Sequence, residues 1–306
     1  MKLKQIKEEF RSGHTDKWQY IDKMYDQHIS LFDYAEFIKD TNISAITISD
    51  DSVIMTFRDS GVKMKCVAND KRLAPFDALN FNNYEQDELE MQLNLINKNA
   101  VILDIGGNFG WYCLHVANKH KSSTIYSFEP IPQTYKALKE NIALNNAENI
   151  IPYNFGLSDN NGIFDFYFDP QLSVNASLAN VSDNPDTLKV QCTVKKLDDW
   201  STQLSSIDFI KCDVEGAELL AFKGGEATLK KFKPVVFSEM LRKWTARFNY
   251  HPNDIISFFI NLGYKCYTTE NGYLKEFSTV DENTVETNYF FLHSEKHAAL
   301  IKKFVN

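Results

Sequence analysis

Between residues 18 and 38, Trp18, Ile21, Tyr25, Ile29, Phe32 and Ala35 recur at steps of three and four, which predicts one amphipathic helix with a broad apolar stripe. The period then shortens. ISAITIS, VIMTF and VKMKC are short apolar runs rich in β-branched residues, separated by Asp50-Asp51 and by Asp59-Ser60-Gly61, the pattern of a small meander with tight turns. From about Leu89 strand-like and helix-like stretches alternate. AVILDI (100–105), STIYSFE (123–129), NIIPYNF (149–155), IDFIKCDV (207–214) and KPVVFSEM (233–240) predict strands, with helical segments such as QTYKALKENIALNN between them. That alternation predicts an α/β fold with a doubly wound, mostly parallel sheet and an N-terminal α+β extension. The last quarter, GYKCYTTENGYLKEF and then TNYFFLH, reads as two strands joined by a long loop and running antiparallel. No repeat or flexible linker interrupts the chain. Residues 1–85 are therefore expected to form a cap or an oligomer contact on a main domain spanning 86–306, rather than an independent module.

The chemistry concentrates in AVILDIGGNFGWYCLHVA, a strand running into Asp104, Gly106, Gly107 and Gly110 and then a helix start. Glycine tolerates positive φ and lets backbone amides approach a ligand, so strand, glycine turn and helix form a nucleotide cradle. A nicotinamide fingerprint would need glycines at 106, 108 and 111, but Asn108 and Trp111 occupy the last two places. A nicotinamide-dependent oxidoreductase is thus the weaker rival. Asp104 would repel a pyrophosphate but attract the ammonium of an amino acid, and S-adenosylmethionine carries both that ammonium and a sulfonium. Glu129, at the end of the next strand and followed by Pro130, can accept both hydroxyls of a ribose. Asp104, Gly106, Gly107, Asn108, Gly110, Glu129 and Pro130 are accordingly the expected S-adenosylmethionine contacts. The plain alternative is that Asp104 caps a helix and Glu129 is a solvated charge.

Composition narrows the partners. A net charge of −8 supplies no basic footprint for nucleic acid. No run approaches the ~18 apolar residues of a membrane span, and MKLKQIKEEF has no signal-peptide core, so a cytoplasmic protein is expected. Five cysteines without a C-x-x-C pair argue against a disulfide framework or a zinc site, and no metal is expected. His293 and His297 lie in His-Ser-Glu-Lys-His, which reads as a solvated helix face.

With these residues in view, the chain resembles the FkbM family of S-adenosylmethionine-dependent O-methyltransferases. The likeness rests on Asp104 to Gly110, Phe128-Glu129-Pro130, Leu138, Asn141, Asn145, Leu197-Asp198-Asp199-Trp200 and above all Lys211-Cys212-Asp213-Val214-Glu215-Gly216-Ala217-Glu218. Gly107 stands where the family's alanine is expected, which suggests a looser loop. Tyr84-Glu85 resembles the acidic pair preceding the first motif, and Glu85 could pair with the cofactor's ammonium. The resemblance implies a class I, Rossmann-like methyltransferase acting on a hydroxyl of a sugar or glycan precursor, or of another natural product. Amine methyltransferases usually carry an Asn- or Asp-Pro-Pro-aromatic loop where this chain has Asp213-Val214-Glu215-Gly216, which favours an oxygen acceptor. Asp213, Glu215 and Glu239 are the expected catalytic residues, at strand ends where open α/β sheets bind ligands. Glu218 could act there or balance a helix dipole, and Glu239 could pair with Arg242.

Overall fold

The computed structural model describes residues 2–169, 176–180 and 187–305. Three helices open the chain, α1 (Lys2–Arg11), α2 (Lys17–His28) and α3 (Ser30–Phe37). An antiparallel meander follows, β1 (Ile43–Ile48), β2 (Val53–Phe57) and β3 (Lys63–Cys66), then α4 (Ala74–Phe81) and α5 (Gln86–Leu95). The single helix expected over 18–38 is interrupted at Ile29, which links α2 to α3. Asp16 starts α2 through a capping box with Gln19, accepting from the Trp18 and Gln19 amides.

The main domain begins β4 (Val101–Ile105), α6 (Trp111–Lys119), β5 (Thr124–Phe128), α7 (Pro132–Leu144) and β6 (Ile150–Tyr153). A small sheet is inserted next, β7 (Gly156–Leu157), β8 (Gly162–Phe168) and β9 (Leu188–Lys195), in the order β7-β9-β8. The chain continues through α8 (Leu197–Trp200), β10 (Phe209–Cys212), α9 (Glu218–Lys223), α10 (Glu226–Phe232) and β11 (Val235–Glu239). It ends with α11 (Arg242–Thr245), α12 (Pro252–Asn261), β12 (Tyr264–Glu270), β13 (Tyr273–Phe277), β14 (Asn288–His293) and α13 (Ala298–Phe304).

The large sheet has the order β13-β12-β14-β11-β10-β4-β5-β6. Strands β6, β5, β4, β10 and β11 are parallel, and β14 runs antiparallel to β11. The chain steps outward from β4 to β6, then returns to place β10 on the other side of β4. The strand order therefore reverses between β4 and β10, and a crevice opens at their carboxyl ends. Alternation sends Ile102, Phe209 and Phe237 into one core layer and Leu103, Ile210 and Val236 into the other, which makes these strands apolar on both faces.

The meander joins the first of those layers. Ile43, Met55, Phe57 and Met64 pack in the same cluster as Trp111 and Leu114, and the Phe57 ring lies 4.8 Å from that of Trp111. Strand β3 is also fastened to α7. Asn145 Oδ1 accepts from the Lys63 amide while its Nδ2 donates to the Lys63 carbonyl, and Asn141 Oδ1 accepts from the Lys65 amide. Two asparagines one turn apart thus satisfy an edge strand with side chains. In contrast, α2 and α3 bury none of their residues, and Trp18 and Phe32 are 72% and 69% exposed.

Two further readings are corrected. GYKCYTTENGYLKEF is a hairpin rather than one strand, because Asn271 (φ 52°) and Gly272 (φ 79°) supply the two positive φ angles of a tight turn. TNYFFLH is then inserted between β12 and β11. His293 and His297 are not on a solvated helix face. They are buried in the turn from β14 to α13, where His297 Nδ1 accepts from the His293 amide and His293 Nδ1 from the Glu295 amide.

Candidate functional site

One wall of the crevice is the loop after β4. The Gly106 and Gly107 amides donate to the Phe128 carbonyl, at 3.0 and 2.9 Å, and pin the loop across the end of β5. At Gly106, with φ 79°, a Cβ would stand 1.8 Å from the Asp213 carbonyl oxygen, so only glycine fits between the two strand ends. Gly107 does not loosen the loop. The Ser127 hydroxyl fills the place of an alanine methyl, 2.1 Å from where Cβ would be, and donates to Asp104 Oδ2 at 2.7 Å. Gly110 packs on Leu138 at the start of α6, away from the cavity lining.

Glu129 is buried beside this loop. Its Oε2 accepts from the Asn108 amide at 3.0 Å and its Oε1 from the Ile131 amide at 2.8 Å. Burial pushes its carboxyl up to about 7 despite those two donors. Glu129, Pro130, Gly106 and Asn108 line a small recess of ≈ 50 Å³.

The opposite wall is the turn after β10. Glu215 and Gly216 both have positive φ, 56° and 98°, and a Cβ on Gly216 would meet the Trp244 backbone at 2.9 Å. Glu218 holds this turn. Its Oε1 accepts from the Val214 and Gly216 amides, at 3.1 and 3.0 Å, and the Tyr250 hydroxyl donates to the Gly216 carbonyl at 2.7 Å. The Glu218 carboxylate therefore anchors backbone immediately before its helix. Burial raises its carboxyl to about 7.

Asp213, Glu215 and Glu239 project together, with a set of their carboxylate oxygens mutually within 4.8 Å. They share a cavity of ≈ 360 Å³ with Glu85, Tyr84 and Trp244, and the two cavities meet at Asn108, Asp213 and Glu215. Glu85 enters from the turn before α5 and accepts from the Tyr112 hydroxyl at 2.7 Å; burial pushes its carboxyl up to about 7. Burial, then the neighbouring Asp213, hold Glu215 and Glu239 well above the usual carboxylate range. Arg242 donates to the Glu282 carbonyl, at 3.3 Å, and no ion pair joins it to Glu239 among the described residues.

Lys211 ties the walls together and was not singled out as a functional residue from sequence. Its Nζ donates to the Gly106 carbonyl at 2.7 Å and lies 3.3 Å from Asp213 Oδ2 and 3.8 Å from Asp104 Oδ1. Burial opposes its charge, but Asp213 and Asp104 outweigh that and keep the ammonium above its ordinary range. The available signal was a lone lysine within the buried run IDFIKCDV. Asp104 itself is 3% exposed and lies behind the cavity lining, bonded to Ser127 and facing Lys211. A larger cavity of ≈ 810 Å³ lies between α3, the meander and α4; its lining is mainly apolar and holds none of these acids.

Comparison with known proteins agrees with this arrangement. The family model described as the methyltransferase FkbM domain matches residues 104–266, more than half of the chain. "Methyltransferase 1" of Beauveria bassiana is 31% identical over 144 residues, covering 41% of this chain and 58% of that protein. A hexuronic acid methyltransferase of Haloferax volcanii is 28% identical over 153 residues, covering 50% and 61%. A 2-O-methyltransferase of Sinorhizobium fredii is 29% identical over 159 residues, covering 45% and 63%. The chain thus spans less than two thirds of each of these relatives. The β4 glycine loop, the buried acid after β5 and the β10 turn all fall inside the matched region, and the chain belongs to the FkbM family of methyltransferases.

Proposed function

We propose that this chain transfers a methyl group from S-adenosylmethionine to a hydroxyl oxygen of a sugar or glycan precursor. The observation that carries this reading is the pair of adjoining cavities, one holding Glu129 and the glycine loop and the other the carboxylates after β10 and β11, which share Asn108, Asp213 and Glu215 in their linings. S-adenosylmethionine would supply a methyl group already activated on a sulfonium. Glu129 would accept the ribose hydroxyls, since a carboxylate has about four acceptor positions and the Asn108 and Ile131 amides use two. Gly106 and Gly107 permit close approach of the backbone, with Asn108 and Pro130 bordering the ribose. Glu85 and Asp213 would face the methionine ammonium. Asp104 acts as a positioning residue through Ser127 and Lys211.

Asp213, Glu215 and Glu239 would orient the acceptor and receive its proton. Raising a carboxyl pKa makes its ionised form a stronger base, so the shifts at Glu215 and Glu239 suit that task. Trp244 and Tyr84 line the cavity beside these acids; the 2-O-methyltransferase relative supports an oxygen acceptor, and the hexuronic acid methyltransferase relative supports a sugar.

Calorimetry with S-adenosylmethionine and S-adenosylhomocysteine tests the cofactor. Glu129→Ala should weaken binding by about 1.5 to 3 kcal/mol, the scale of hydrogen bonds to a charged group. Unchanged affinity would remove Glu129 from the ribose site. Mass spectrometry on a panel of sugar nucleotides and hexuronic acids should find a product heavier by one methylene. Turnover confined to non-sugar alcohols would replace the acceptor class and keep the cofactor.

A further inference from the structure

We infer that the outward stripe on α2 and α3 is the contact surface for a second copy of this chain, joined antiparallel about a two-fold axis at Tyr25. The stripe consists of Trp18, Ile21, Tyr25, Ile29 and Phe32, and Ile29 keeps helical φ and ψ (−57°, −32°), so it carries across the interruption between the two helices. Other elements take the remaining sides. Phe10 of α1 stacks on Tyr20, with ring centroids 4.4 Å apart, and Glu9 pairs with Lys23 at 2.8 Å, both on the side of α2 away from the stripe. Leu31, Tyr34 and Phe37 of α3 line the apolar cavity against the meander. Helices that are apolar on an outward face as well as an inward one need a second partner.

The exposed area is what such a contact needs. Trp18, Tyr25 and Phe32 are 72%, 59% and 69% exposed. With about 150 to 250 Å² on each aromatic side chain, they alone offer roughly 300 to 500 Å². Ile21 and Ile29, also exposed, extend the patch. A standard interface takes about 800 Å² from each partner, of which roughly 60% is apolar. The spacing then selects the partner. Steps of three, four, four and three read the same in both directions, so an antiparallel copy sets Trp18 against Phe32, Ile21 against Ile29 and Tyr25 against itself. Every position of the stripe finds an apolar counterpart over about 21 Å of helix, as a self-complementary surface requires. Charge argues against the other broad occupant, an anionic membrane. Residues 1–40 hold seven Lys or Arg and eight Asp or Glu, without the cationic excess that draws an amphipathic helix to acidic lipid.

Sedimentation equilibrium of the full chain tests this. The expected mass is twice that of one chain at micromolar concentration, with dimer affinity lowered about tenfold or more in both Tyr25→Lys and Trp18→Ala. Both side chains are exposed, so the variants should keep their fold, which an unchanged far-ultraviolet circular dichroism spectrum checks. Val285→Lys, at an exposed apolar residue elsewhere, should retain native affinity. Register has its own readout. A short bismaleimide should join Tyr25→Cys chains to each other above the native background, and leave Trp18→Cys chains uncoupled, because the two-fold holds those ends about 21 Å apart. A monomer at high micromolar concentration, native affinity in both stripe variants, or no coupling through Tyr25→Cys overturns the surface. So does a monomer that sediments with phosphatidylglycerol vesicles, which would make lipid the occupant. None of these outcomes bears on the tests of methyl transfer.

Discussion

The two walls of the crevice solve the burial of acids differently. On the β4–β5 side both Glu129 oxygens accept backbone amides, and Asp104 has Ser127 on one oxygen and Lys211 facing the other. On the β10–β11 side Asp213 and Glu215 keep oxygens without a partner, and Glu239 is pushed toward neutrality by burial and by Asp213. The first wall is thus held by amides and a hydroxyl at Glu129 and Asp104 Oδ2, while Asp104 Oδ1 and Asn108 Oδ1 are its buried oxygens without a hydrogen-bond partner among the described residues. A wall with spare acceptors gains most when a ligand arrives, and this suits the place where charge and protons move.

The largest expected effect comes from removing residues 1–85. This takes Tyr84 and Glu85 from the second wall and uncovers the core layer holding Trp111 and Leu114 behind the first. The fragment 86–306 should be largely insoluble or molten, and we regard residues 1–85 as an integral cap. A soluble fragment with normal cofactor affinity and normal turnover would instead make them dispensable. Gly106→Ala attacks the joint between the walls, where the added methyl meets the Asp213 carbonyl at positive φ. It should lower stability by about 2 to 4 kcal/mol in urea unfolding, from overpacking plus backbone strain.

The smallest effect is a pH dependence that separates the walls. Glu129 has a folded-state carboxyl raised to about 7 from the ordinary 4.5, so its burial contributes a stability loss that grows as pH climbs from 4.5 to about 7 and then levels off. Its ionised form accepts ribose hydroxyls, so cofactor affinity should rise with pH up to about 7, by no more than about tenfold per unit. Calorimetry at several pH values should show this rise, and Glu129→Gln should flatten it. A slope that persists in the variant would assign the titration to Glu85 or to the acids of the second wall.

Much of the first wall was legible because its parts are close in sequence. Asp104, the glycines and Glu129 belong to one strand–helix–strand unit, and the residue types carry their own geometric reasons. The β8–β9 pair was less legible, because its two strands are separated by residues 169–187. Asn271-Gly272, with polar Thr268 to Glu270 before it, was a readable turn signal within the stretch read as one strand. Gly107 was misjudged because the atom filling its space belongs to Ser127 on the neighbouring strand.

The sequence by itself determined the alternating α/β class, the glycine loop and the strand-end acids, since each follows from local periodicity or from a residue type with a fixed conformational or charge property. Tertiary structure alone decided which acids are partnered. Lys211 reaches Gly106 and Asp104 across 105 and 107 positions because β10 lies beside β4, and Glu239 meets Asp213 because β11 lies beside β10. Strand pairing is a long-range choice made by the burial of both sheet faces, so no local pattern records which carboxylates it will bring together.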